Sequence, residues 1–93
     1  MASEVFRLTV NFRGRVQGVG FRWNVRNESG SFVVTGYVKN LSDGSVEMLV
    51  EGEKDEVNRF LTSVENRMRG YVTDRTTVER MGERQSSGFE VTY

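Results

Sequence analysis

The chain has 93 residues, 37% hydrophobic and 28% charged, which suits one compact domain and is too short for two. Thirteen basic and thirteen acidic residues leave no formal net charge, so the molecule as a whole is not built to hold nucleic acid. Cysteine and histidine are both absent, which excludes disulfides, thiolate catalysis, Ser-His-Asp chemistry, phosphohistidine intermediates and most zinc catalysis.

Leu8, Val10 and Phe12 alternate with Thr9, Asn11 and Arg13, the period of a half-buried strand. A glycine-rich loop follows. Residues 22 to about 32 are expected to form a helix of poor intrinsic propensity, with Asn24, Asn27, Ser29, Gly30 and Ser31 in it. Phe32 to Asn40 is rich in β-branched and aromatic residues and reads as a second strand; Ser42-Asp43-Gly44 signals a tight turn, with Asp43 serving the turn. Ser45 to Glu51 alternates again, with Val46, Met48 and Val50 on one face. Val57, Phe60, Leu61, Val64 and Met68 recur at helical spacing, after acidic residues that suit a first turn and before Gly70 as a stop. Strand-like sequence resumes from Val72 to Met81, Gly82 to Gly88 is a polar loop, and Phe89, Val91 and Tyr93 alternate in a terminal strand. Trp23, Met48 and Met68 are assigned to the core or its rim, and the Glu51–Glu56 run to a solvated helix start.

The predicted order is βαββαβ with an extra C-terminal strand. It makes an α+β, ferredoxin-like sandwich, in which both helices cover one face of a mostly antiparallel sheet. A right-handed crossover sets the first two strands parallel, so their C-terminal ends share one sheet edge. The glycine loop leaves the first strand at that edge, and Asn40 ends the second strand there.

Gly14-Arg15-Val16-Gln17-Gly18-Val19-Gly20-Phe21-Arg22 is the most informative segment. Three glycines let the backbone turn its N–H groups toward one bound group, and an arginine places a planar fork of donors on the same group. From Val5 to Asn27 there are five arginines and no carboxylate, so the surroundings favour an anion. On these features alone the loop is either an anion cradle or a plain glycine-rich connection with a solvated arginine; it is not a Walker loop, since no Lys-Ser/Thr follows the last glycine. Gly36-Tyr37-Val38-Lys39-Asn40 is the second motif. Its asparagine is either a turn former or a neutral amide, donor and acceptor at once, that orients a water without titrating.

Taken together, the two motifs resemble those of the acylphosphatase family, whose signature is Gly-x-Val-Gln-Gly-Val-x-Phe-Arg followed by Gly-x-Val-x-Asn and Asp-Gly. The similarity runs on through Asp43-Gly44-Ser45-Val46-Glu47 and Glu51-Gly52 to Gly88-Phe89-Glu90-Val91-Thr92-Tyr93. The first helix departs from the family pattern, with Ser29, Gly30, Ser31 and Phe32 where members carry alanine and leucine, and Val33 in place of a glycine. The resemblance implies hydrolysis of the carboxyl–phosphate bond in small acyl phosphates, releasing inorganic phosphate without metal or cofactor. It implies that Arg22 and the backbone N–H groups of Val16, Gln17, Gly18, Val19, Gly20 and Phe21 hold the phosphoryl group. It also implies that Asn40 positions the attacking water and that a phosphate oxygen of the substrate takes its proton.

The expectation is therefore a single domain over residues 1–93, a cytoplasmic monomer with no nucleic-acid or membrane partner, since no apolar run is long enough to span a bilayer and no signal peptide is visible. Two rival readings are weighed. One is a non-catalytic RNA- or ligand-binding module. Against it, the open faces of the first and third strands carry no stacking aromatic, and Glu47 and Glu51 would repel phosphates. The other is a phosphate-handling domain of a larger carbamoyl-transferring enzyme.

Overall fold

The computed structural model describes residues 4–92, which form β1 (Glu4–Gly14), α1 (Phe21–Ser29), β2 (Val34–Asn40), β3 (Val46–Gly52), α2 (Lys54–Arg67), β4 (Val72–Glu83) and β5 (Phe89–Thr92). The five strands lie in the order β4-β1-β3-β2-β5. β3 is antiparallel to both β1 and β2, and β4 is antiparallel to β1. β5 adds to the far edge, parallel to β2. This is the ferredoxin-like sandwich with its fifth strand; the parallel sense of that strand is what periodicity does not reveal.

The alternation in β1 and β3 builds the core. Phe6, Leu8, Val10 and Phe12 join Val46, Met48 and Val50 in one buried layer with Val38 of β2. Phe21 and Val25 of α1, and Val57, Phe60, Leu61 and Val64 of α2, pack against it. Burying each such side chain contributes about 1.5–3 kcal/mol. Phe60 sits between Phe32 and Phe89, with ring centroids 5.6 Å away on each side. The terminal strand is thereby fastened to α2 as well as to β2.

The first helix is shorter than the expected span to residue 32. Ser29 turns its hydroxyl onto the Arg26 carbonyl, and the N–H groups of Gly30, Ser31 and Phe32 reach back three residues rather than four. Serine's competition for backbone groups and the following glycine tighten the last turn. The strand after it accordingly starts at Val34 and not Phe32. Tyr93, assigned to the terminal strand, lies outside the described residues.

Of the residues assigned to the core or its rim, Met48 and Met68 are buried and Trp23 is 53% exposed. One side-chain assignment is corrected. The Glu51–Glu56 run is not one solvated stretch, because Glu51 is 0% exposed. Its carboxylate meets Arg7 Nε at 3.0 Å and accepts the backbone N–H groups of Gln85 and Ser86 at 2.9 Å each. The β4–β5 loop is thus held down over the open face of the sheet. Of the two glutamates expected to repel phosphates from that face, Glu51 is neutralised and hidden, and Glu47 alone keeps partial access.

Candidate functional site

The register brings the two motifs together at one sheet edge. Phe12 at the end of β1 and Asn40 at the end of β2 are the partners of the same β3 residue, Val46, on its two sides. The glycine loop departs from β1 at this level and delivers the chain to α1.

The loop is pegged by its apolar side chains. Val16 and Phe21 are buried, Val19 packs against the core, and the Phe21 ring lies 5.2 Å from that of Phe12. Arg15 N–H, at the loop's start, donates to the Tyr71 carbonyl at 2.9 Å. Gly18 and Gly20 both take φ of +77°, with no crowding around either, so it is the left-handed backbone that calls for glycine there. With the side chains turned inward, the backbone is left to face outward. Among the described residues, the N–H groups of residues 16–20 donate to no other backbone group.

Gly20 is also the N-cap of α1, without a side-chain cap, and the first turn of that helix carries no acidic residue. A helix start normally recruits a carboxylate; this one presents Arg22 instead, an arrangement unfavourable for the helix alone and suited to an external anion. Arg22 Nη1 donates to the Thr92 carbonyl at 3.1 Å. Thr92 is paired in register with Lys39, the residue before Asn40. The guanidinium is therefore braced against the strand that flanks the Asn40 end of β2.

The turn after Asn40 is locked from several sides. Leu41 N–H donates to the Ser45 carbonyl and Gly44 N–H to that of Leu41. Asp43 accepts both the N–H and the hydroxyl of Ser45, and these bonds hold its carboxyl below the usual carboxylate range. Asn11 donates to the Ser45 hydroxyl at 2.9 Å. Gln17 sends its side-chain Nε2 from the glycine loop onto the carbonyls of Leu41 and Ser45, both at 2.8 Å. The Asn40 side chain itself makes no hydrogen bond among the described residues, so its donor and acceptor stay available.

The structure thus brings Arg22, the loop from Val16 to Phe21 and Asn40 to one edge. An arginine fork, a run of uncommitted N–H donors and an unspent neutral amide together can hold an anion of phosphate size and orient a water beside it. Two contributions escape sequence reasoning: the Gln17 side chain, distinct from its backbone N–H, and the Thr92 carbonyl. No spacing rule predicts a bond from residue 17 to residues 41 and 45. The brace at Thr92 follows from the parallel pairing of β5.

A model of the acylphosphatase family matches residues 8–91. The chain belongs to the acylphosphatase family. It is 41% identical, over 95 aligned positions spanning all of this chain and 99% of the relative, to an acylphosphatase of Caldivirga maquilingensis. It is 35% identical to the crystal structure of acylphosphatase from Bacillus subtilis, with a TM-score of 0.86 over 95% of this chain and 99% of that one. It also superposes, at a TM-score of 0.76 and 22% identity, on 12% of full-length HypF, a likeness of fold. Family membership makes the chain an enzyme, an acylphosphatase, whose reaction is the hydrolysis of acyl phosphates.

Proposed function

We propose that this edge is the active site for hydrolysis of small acyl phosphates, with Arg22 and the N–H groups of residues 16–21 binding the phosphoryl group and Asn40 positioning the attacking water. The observation that carries the reading is the pairing of Phe12, just before the glycine loop, and of Asn40 with the same residue Val46, with Arg22 braced through Thr92 against the same strand end. The water oxygen forms a bond to phosphorus as the bond from phosphorus to the acyl oxygen breaks. The carboxylate leaves with that bond's electron pair, and a phosphate oxygen accepts the water's proton. A carboxylate is a good leaving group, so no strong general acid is needed. What remains is positioning and stabilisation of charge spread over the phosphoryl oxygens, which an arginine and fixed N–H donors supply. An enzyme without histidine or cysteine can therefore be complete, and activity without metal or cofactor is part of the proposal, as is a monomeric state.

Benzoyl phosphate hydrolysis, with and without a chelator, tests the reading. Activity should survive the chelator. Arg22→Ala should lose both turnover and inhibition by inorganic phosphate, while Asn40→Ala should lose turnover and still bind phosphate. Equal turnover by Asn40→Ala and the native chain would remove the role assigned to Asn40.

A further inference from the structure

We infer that the Gln17 side chain is a positioning residue: it fixes the turn that carries Asn40 onto the phosphate-binding loop, and so sets where the water sits relative to the bound phosphoryl group. The inference rests on the proposed roles of the loop and of Asn40. One primary amide nitrogen carries two hydrogens, and here each has an acceptor, the carbonyls of Leu41 and Ser45 at 2.8 Å. Those two carbonyls already belong to the pair that closes the hairpin, since Leu41 N–H donates to Ser45 and Leu41 accepts from Gly44. Gln17 thus grips the turn at both of its shoulders, one of them the residue directly after Asn40.

The chemistry of the link is specific. A single atom that donates twice must be an amide, an ammonium or a guanidinium nitrogen, and only the amide does so without adding a charge beside an anion site. Gln17 lies within the cradle itself, between the buried peg Val16 and the left-handed Gly18. Its two bonds therefore join the phosphoryl-binding backbone to the water-positioning turn with one rigid side chain. The other connections are less direct: Asn11 reaches the turn from β1, Arg22 reaches β5 at Thr92, and the register links β1, β3 and β2. In-line attack is sensitive to displacements of about 1 Å, which cost on the order of 100-fold in rate.

Two nearly isosteric substitutions test this. Gln17→Met removes both donors. Gln17→Glu presents a carboxylate to two carbonyls at neutral pH, and an O–H donor once protonated. Arg13 and Asp43 line a cavity at the same turn, and the bonds to Ser45 hold the Asp43 carboxyl below the usual carboxylate range. For Gln17→Met, kcat on benzoyl phosphate should fall at least about 10-fold, while the inhibition constant for inorganic phosphate changes less than about threefold. For Gln17→Glu, the loss should be greatest near pH 8 and should partly reverse as pH falls toward 5, a recovery absent from the native chain and from Gln17→Met. Far-ultraviolet circular dichroism confirms folding of each variant; should Gln17→Met fail to fold, the pH recovery of Gln17→Glu decides alone. The inference is overturned by an unchanged kcat in Gln17→Met, by equal worsening of kcat and phosphate inhibition, or by a Gln17→Glu profile parallel to that of the native chain. If Asn40→Ala turns over normally, the role of Asn40 fails instead; if Asn40→Ala is inactive and Gln17→Met is not, only the inference about Gln17 fails.

Discussion

Removing the buried carboxylate with Glu51→Ala should be among the most damaging single changes outside the apolar core. Glu51 is fully enclosed, Arg7 opposite it has a side chain only 11% exposed, and two backbone N–H groups of the β4–β5 loop end on the same carboxylate. Deleting it strands a guanidinium whose remaining partner is the Glu83 carbonyl. Breaking a buried pair by removing one member costs about 3–5 kcal/mol. The two orphaned N–H groups would add about 1–3 kcal/mol each if they stayed dry, but Gln85 is exposed and Ser86 half-buried, so water can reach them and their share is small. The expected loss is therefore about 3–5 kcal/mol, roughly a fifth or more of the ~5–15 kcal/mol that holds a domain of this kind together. At about 4–8 °C per kcal/mol, Tm should fall by at least ~12 °C. Urea unfolding followed by circular dichroism measures the loss directly. A companion variant, Arg7→Met with Glu51→Leu, separates the causes. If the penalty is an uncompensated charge, the double change should be more stable than Glu51→Ala. A Glu51→Ala chain within about 1 kcal/mol of the native one, or a double variant as unstable as the sum of its singles, would refute the argument.

Other outcomes follow from the packing and the titration. Phe60→Ala removes a ring in edge contact with both Phe32 and Phe89 and should cost about 3–5 kcal/mol by urea unfolding; a loss under about 1 kcal/mol would mean that β5 is not fastened through it. Gly36→Ala would set a Cβ 1.8 Å from the Leu49 carbonyl oxygen at a φ of +150°, and should destabilise by more than about 2 kcal/mol; a Tm within 2–3 °C of native, on the same ~4–8 °C per kcal/mol scale, would contradict the close approach of β2 and β3 there. Tyr37, whose hydroxyl donates to Glu47, is pushed by burial and by that carboxylate from 10.0 to about 12. The fold favours the neutral phenol, so its contribution is complete below about pH 10 and is lost as pH rises toward 12. Tyr37→Phe should flatten that part of the stability profile, and unfolding curves with equal slopes over pH 10–12 would count against the assignment.

Where a structural feature depended on local alternation, the residues announced it. Leu8, Val10 and Phe12 face the core as their period requires, and the helical spacing from Val57 to Val64 produces a helix buried on that side. The end of α1 was harder, because it is decided by a Ser29 hydroxyl competing for a carbonyl, and propensity averages over such a choice. Glu51 was misread for a stronger reason. Its period places it on the open face, and an acidic residue on an open face is ordinarily solvated. What buries it is a loop more than thirty positions later and an arginine more than forty positions earlier, contacts with no local signature.

The same division runs through the site. Arg22, Asn40 and the glycines stand in recognisable spacing because the proposed chemistry requires those residue types. The groups that hold them in place do not. A Thr92 carbonyl is available from any residue in a strand, and Gln17 donates to two carbonyls whose identity does not matter. Their positions are fixed by backbone, in the register of β5 on β2 and the closure of the Leu41–Ser45 turn. The Gln17 brace on the turn after Asn40 and the Arg22 bond to Thr92 thus end on main-chain oxygens rather than on titratable groups. Substitutions at Leu41 or Thr92 that preserve the backbone should therefore be tolerated, whereas loss of the donor at Gln17 should not.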